Sequence, residues 1–367
     1  MKGIEMRRMF MAAVVLAGAS AALIGSCAEG IVPPEPTEMV EIKTGLTFDF
    51  GPPGPCVGDG STDPCDVSGG KVPTTYPQVQ VTIPAFAIDK HEVTNLQYEY
   101  CVAAGGCTDP PFDNAVATEQ QDYYGRGRFE QFPVVNITWD QASAYCEFVG
   151  KRLPNEFEWE RVAKGPDRAN PRLYPAEGVK KLSDCFGTDF PVSACRNDTL
   201  LDAVDNAPRD FVTENGQNIN HMFGNAAEWV DTFYAPSVTT CAGDLPSSCK
   251  SCLDCEGLSG TEQTQCQQEC KTCGDCAQDG GSVSCFYLCE DTSLRTPFCT
   301  AYPSGVSVST EELTADLTDA PTGRMIRGGN VRINQAQACQ LRSDYRLLAA
   351  DADDSKFNVG FRCAKSL

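Results

Sequence analysis

The sequence predicts a loop-rich α+β domain, and three observations carry that expectation. Its 24 prolines and 32 glycines are spread through 367 residues. Strongly periodic segments are few, which argues against a helix bundle or a doubly wound parallel sheet. Hydrophobic residues make up 41% of the chain, enough for one large core or two domains.

Taken in chain order, residues 1–26 read as a lipoprotein signal peptide. Lys2, Arg7 and Arg8 supply positive charge, an apolar run follows from Met9 to Ile24, and Gly25-Ser26 precede Cys27. Charged start, apolar middle and small-residue exit are the anatomy of a secretory signal, and the run is short of the roughly 20 apolar residues of a membrane span. Cys27 is then the lipid-bearing first residue of an exported, membrane-anchored protein, since several acyl chains hold a bilayer far better than one. Ala28 after it favours the outer membrane or cell surface if the host has two membranes. Residues 27–38 include the Pro/acid-rich EGIVPPEPTE, expected to be a lipidated flexible tether.

Ordered sequence is expected from Met39. MVEIKTGLTFDFG alternates as strands do before a Gly/Pro cluster, and Val79–Val81 and Phe86–Ile88 continue the pattern. Three helices carry start signals. Thr94-Asn-Leu-Gln97 and Thr138-Trp-Asp-Gln141 have capping-box spacing, the second helix closing at Gly150. A third opens after Pro154, with Asn155 as cap and Glu158 three residues on, and ends near Gly165.

Residues 241–299 break the composition: eleven cysteines lie in a polar Ser/Gly/Gln-rich stretch. With almost no apolar residues to form a core, this insertion must be held by cross-links. The chain has 21 cysteines, so setting Cys27 aside leaves an even set. Outside the cytoplasm such a set reads as disulfides, with zinc the competing reading of the C-x-x-C spacings. Cys56–Cys65, Cys101–Cys107 and Cys185–Cys195 form local pairs by closeness. The net charge is −21, which excludes nucleic acid as a partner. Asn136-Ile-Thr138 and Asn197-Asp-Thr199 fit the glycosylation pattern, one that short sequences often match by chance.

Six stretches then occur in one order: MVEIKTGLTFDFG, FAIDKHEVTNLQY, FPVVNITWDQASAYCEFVGKRLPNEFEWERVAKG, GNAAEWV, RMIRGG and NVGFRCA. In these the chain resembles the formylglycine-generating enzyme family, the sulfatase-modifying-factor domain. The resemblance covers most of residues 39–366 apart from the cysteine-rich insertion. It implies a single compact domain related to C-type lectins, with little regular secondary structure. It also pairs Cys146 with Cys363, which leaves Cys339 to bond within the insertion.

Family members that oxidise a substrate cysteine hold copper(I) between two thiolates, as a soft ion requires. Laid on without gaps, that pair falls on Ile333 and Ala338, with Cys339 one place beyond and Asn330 at the family's serine. Copper is therefore not expected, and the domain reads as a binding or scaffold module, with an active formylglycine-generating oxidase as the alternative. A second branch of the fold uses three histidines on iron; this chain has two, His91 and His221, so that branch is excluded. His91 reads as a polar surface residue.

The resemblance also implies structural calcium, which takes hard oxygen donors. One site would use Asp184 and Asp198 side chains with Cys185 and Leu200 carbonyls; ordinary loop aspartates in a very acidic protein are the competing reading. A second would use Gly224 and Ala226 carbonyls with Glu228, though His221 replaces an expected oxygen donor, and Glu228 equally suits a buried acceptor. The expected partners are the membrane, through lipid on Cys27, and a protein or glycan ligand, for a monomeric protein.

Overall fold

The computed structural model describes residues 33–51, 79–111, 122–125, 127–180, 184, 192–196, 200–234, 282–287, 297–302, 307–308, 323–331, 341, 343, 346–349 and 358–367. The signal-peptide segment, Cys27, Cys56, Cys65 and most of the cysteine-rich insertion lie outside the described residues. Among these residues no helix is long and apolar enough to cross a membrane.

The chain forms β1 (Met39–Ile42), β2 (Thr47–Phe50), β3 (Val79–Thr82), β4 (Phe86–Asp89), α1 (Asn95–Ala103), α2 (Trp139–Phe148), α3 (Glu156–Lys164) and α4 (Ser193–Arg196). It continues through β5 (Phe211–Glu214), β6 (Gln217–Asn220), β7 (Ala227–Tyr234), β8 (Ser282–Tyr287), β9 (Pro297–Tyr302) and β10 (Ser307–Val308). The last four are β11 (Gly323–Arg327), β12 (Arg346–Ala349), β13 (Val359–Gly360) and β14 (Ala364–Ser366). The architecture is α+β, with short elements and long connections.

Three sheets organise the domain. β4 is central to the first, antiparallel to both β1 and β14, so the C-terminus closes a sheet begun near residue 39. The second has the order β10-β3-β2. The third, β12-β11-β7-β13, pairs β7 antiparallel with β11 and parallel with β13. A register shift in β11 between Arg324 and Ile326 marks a bulge, which re-aims the side chains beyond it. β5 and β6 form a hairpin across Asn215-Gly216, both at positive φ (50° and 76°), the backbone a two-residue primed turn requires. Within the cysteine-rich stretch, β8 and β9 pair antiparallel with Cys285 opposite Cys299.

The helices start where the sequence places them. Thr94, Thr138 and Asn155 each accept from the backbone N–H three residues on, and Gln97, Gln141 and Glu158 reach back to the cap backbone. Gly150 and Gly165 follow α2 and α3 at φ 71° and 84°, conformations glycine adopts without a Cβ penalty.

Four apolar clusters of buried residues fill the interior, two of them large. Phe48, Phe50, Phe157, Trp159, Val162 and Val230 belong to one of these; Tyr98, Tyr145, Trp229, Phe361 and the buried Cys101, Cys146 and Cys363 belong to the other. Disulfides join Cys101 to Cys107 and Cys146 to Cys363, with Cα separations of 5.3 and 5.6 Å. The first pins a tight turn after α1. The second ties α2 to the segment leading into β14 across 217 residues.

One boundary differs from the sequence reading. The sequence predicts a free tether to residue 38, yet the carbonyl of Glu35 accepts from Gln97 and that of Thr37 from Lys151. Glu38 also meets Lys90 at 3.2 Å. Packing begins at Glu35 because these backbone acceptors find donors on α1 and just after α2.

Candidate functional site

The segments GNAAEWV, RMIRGG and NVGFRCA lie far apart in sequence and meet at the third sheet. β7 carries Glu228, directly opposite Arg327 of β11 and Gly360 of β13. Arg362, just beyond β13, is fully buried. Its Nε donates to both oxygens of Glu228 at 2.9 Å and its Nη2 to Oε1 at 2.6 Å. Trp159 of α3 donates Nε1–H to Oε2 at 2.8 Å. The same guanidinium donates to the carbonyls of Asp89, Asn220 and His221. One arginine thus ties β4, β6 and β7 together.

Below this pair the chain turns sharply through residues 221–226, with His221 at φ 58° and Asn225 at φ 67°. Gly224 faces the Ala194 side chain so closely that a Cβ there would lie 2.6 Å from the alanine's. Two buried carboxyl groups hold the turn. Asp210 accepts from the N–H groups of Phe223 and Gly224 at 3.0 and 3.1 Å. Glu92 accepts from Ala226 N–H at 2.9 Å and from Asn225 Nδ2 at 2.7 Å. The segment after RMIRGG is laid on this turn: Gly329 N–H donates to Phe223 O and Val331 N–H to Asn225 O.

Burial sets the electrostatics. Desolvation pushes the Glu92 carboxyl up to about 7, against the opposing pull of His221. His221 lies 3.5 Å from Asp210, and neither side chain is more than 1% exposed. Desolvation would depress its imidazolium, but contact with Asp210 and the charge of Glu92 outweigh it and raise the pKa. Burial also lifts Asp89 to about 6 although Lys151 stands 2.5 Å away.

Glu228 is the buried acceptor that the sequence allowed for. Its two oxygens receive four N–H contacts, which fill a carboxylate's roughly four lone-pair sites. These residues do not fit a calcium ion at Gly224, Ala226 and Glu228. At the other candidate calcium site, Asp184 accepts from Lys180 N–H at 2.9 Å and the Leu200 carbonyl from Arg196 at 3.3 Å. Cys185 and Asp198 lie outside the described residues.

Ile333, Ala338 and Cys339 also lie outside the described residues. Every cysteine whose side chain is described is disulfide-bonded: Cys101, Cys107, Cys146, Cys195 and Cys363. No thiolate among the described side chains is available to a soft metal. His91 is more than a surface residue: its Nδ1 lies 2.7 Å from the Val204 carbonyl, and burial lowers its pKa. Asn136 is 1% exposed at φ 61°, and its side chain accepts from Asn358 N–H. It braces two loops and offers no acceptor site for a glycan; Asn197 lies outside the described residues.

Glu92, Asp210 and Arg362 had no role in the sequence reading. The signal was present for Arg362, a charge set between Phe361 and Cys363, since a cation inside an apolar run is almost never buried unpaired.

Residues 33–367 match the family model described as Sulfatase-modifying factor enzyme 1-like domain. Among characterised relatives, a serine/threonine-protein kinase Pkn1 of Chlamydia trachomatis serovar L2 is 28% identical over 215 residues, 56% of this chain and 30% of that protein. The formylglycine-generating enzyme of Bos taurus is 25% identical over 241 residues, 55% of this chain and 59% of that enzyme. The matches thus span less than two thirds of the length of either relative. Among solved structures, PvdO from Pseudomonas aeruginosa is 19% identical, with 90% of this chain and 95% of that one covered and a TM-score of 0.46.

Proposed function

The chain belongs to the sulfatase-modifying factor enzyme 1-like domain family, and from that premise we propose that it is a non-catalytic binding or scaffold module of that fold. One observation carries the reading. The positions that the family resemblance gives to the copper-holding thiolates are Ile333 and Ala338, and neither side chain can ligate copper(I). The buried polar groups around the motif segments support it, because Glu228 and Arg362 are spent on each other and Asp210 and Glu92 on the 221–226 turn. Fold alone does not confer an activity, which lives in the site.

On this reading the domain is exported, held at a membrane by lipid on Cys27, and presents a protein or glycan ligand surface as a monomer. A structural calcium at Asp184, Cys185, Asp198 and Leu200 completes the proposal. The deciding experiment incubates the soluble domain with copper(I), oxygen and a peptide carrying Cys-x-Pro-x-Arg. The expected result is an unchanged peptide mass; a mass change at the peptide cysteine would establish the oxidase reading instead. Substitution of Cys27 by Ala is expected to release the protein from the membrane fraction, and a melting temperature indifferent to a chelator would remove the calcium.

A further inference from the structure

Among the described residues, most ion pairs of the interior are matched one to one. Arg362 faces Glu228, Arg161 faces Glu214, and at the surface Arg168 faces Asp49. Glu214 has a second, more distant cation in the half-buried Arg172 at 3.9 Å, whereas Glu160 faces two fully buried ones, Lys164 at 2.7 Å and Arg327 at 2.5 Å, and none of the three side chains is more than 5% exposed. Among the described side chains, the trio therefore carries one uncompensated positive charge away from water.

The hydrogen bonds show where that charge is unserved. Lys164 Nζ donates to the carbonyls of Asp49 and Gly51, and Glu160 also accepts from Gly51 N–H at 2.7 Å. Arg327 Nη2 donates to Glu160 and to the Ser343 carbonyl. Its Nε and Nη1, by contrast, have no acceptor among the described residues. The Trp159 ring lies 5.2 Å from this guanidinium and supplies an aromatic wall but no lone pair. Buried donors without partners are rare in folded proteins and call for a bound water or ion. A water would satisfy a donor and leave the extra charge in place. An anion does both, and isolated buried charge is the costlier of the two defects.

We propose that Arg327 is an internal binding site for a small monovalent anion, received at Nη1 and neutralising the Lys164–Glu160–Arg327 cluster. The site is independent of the reading of the chain as a binding module. A chain of net charge −21 repels anions at long range, so the selectivity must come from these buried donors. Desolvation favours a weakly hydrated ion, which makes bromide the natural probe and fluoride its control.

Two measurements on the soluble domain test this. In the first, the melting temperature is followed at constant ionic strength as bromide, formate or fluoride replaces a large organic anion. Bromide is expected to raise it saturably and fluoride not at all, with formate distinguishing a carboxylate-accepting site from a halide site. Lys164→Met leaves Glu160 and Arg327 as a neutral pair and is expected to abolish the bromide response. In the second, which needs no variant, crystals grown in bromide are expected to show an anomalous peak within hydrogen-bond distance of Arg327 Nη1. A melting temperature equally indifferent to all three anions, or a water in place of the bromide peak, overturns the proposal.

Discussion

Helices α2 and α3 begin with the same device and end in opposite environments. Both are opened by a reciprocal capping box and closed by a glycine at positive φ. α2 keeps Glu147, Phe148 and Val149 exposed and turns Ala142, Tyr145 and Cys146 inward, where Cys146 is bonded to Cys363. α3 is buried along all nine residues, five of them charged. Caps report where a helix starts and stops; what it will be packed against depends on partners elsewhere in the chain. For α2 the partner is one covalent bond and an apolar stripe. For α3 it is a set of distant charges and carbonyls, among them Glu214, Arg327 and the backbone of Thr44, Gly45 and Asp49.

The sharpest way to break this contrast is to remove a carboxylate from each helix. Glu160→Ala strips the counter-charge from Lys164 and Arg327, and orphaning buried charge is expected to cost about 3–5 kcal/mol. Glu147→Ala, on the exposed face of α2, should stay within about 0.5 kcal/mol. Urea unfolding of both variants measures the difference; equal midpoints would show that the α3 charges are not matched as described.

The covalent anchor of α2 comes next. Replacing Cys146 and Cys363 together by Ala is expected to lose about 2–4 kcal/mol, since the bond closes a long loop in the unfolded chain. The loss should appear in the urea midpoint and leave the response of the Glu160 variant additive, because the two devices share no partner. Non-additivity would mean that the clusters around α2 and α3 fold as one coupled unit.

A third effect is pH-dependent and lies outside both helices, at the turn through residues 221–226. Glu92, held near 7 by burial against an unfolded value near 4.5, keeps a proton that the unfolded chain gives up. Its contribution is complete below about 4.5 and is lost as pH rises through 7. His221, also raised, adds a loss in the same direction above about 6.5. At about 1.4 kcal/mol per unit, Glu92 accounts for about 3 kcal/mol across that window. The melting temperature should fall from pH 5 to pH 8, and Glu92→Gln should flatten the profile; an unchanged slope would place the titration elsewhere.

Legibility in the sequence followed the range of the interaction. Strand alternation at Met39–Ile42 and Phe86–Asp89, and the caps at Thr94, Thr138 and Asn155, are local signals, and they located their elements. The Cys101–Cys107 pair was legible for the same reason, and Cys146–Cys363 only through the family resemblance. What could not be read were pairings between charges far apart in the chain. Arg362 with Glu228 spans 134 residues and Arg327 with Glu160 spans 167. Spacing cannot show that Glu228 is filled by Arg362 and Trp159, which is why the sequence left the buried-acceptor role and a calcium site at Glu228 side by side.

The smallest prediction returns to the shared device. Thr138→Ala and Asn155→Ala each remove the acceptor for one orphan N–H, worth typically about 1 kcal/mol. The two should nonetheless differ. At the half-buried start of α2 water can reach the Gln141 N–H that Thr138 releases. Asn155 is 4% exposed and Glu158 3%, so the released Glu158 N–H stays dry, and an unsatisfied buried donor carries the larger penalty. Glu158 is also the carboxylate that Arg152 grips at 2.6 Å, so a loosened cap disturbs that pair as well. Asn155→Ala is therefore expected to cost more than Thr138→Ala, by under about 2 kcal/mol, and Asn155→Ser, which restores an acceptor, should recover most of it. If the two alanine variants unfold at the same urea concentration, the burial that separates α3 from α2 does not extend to its first turn.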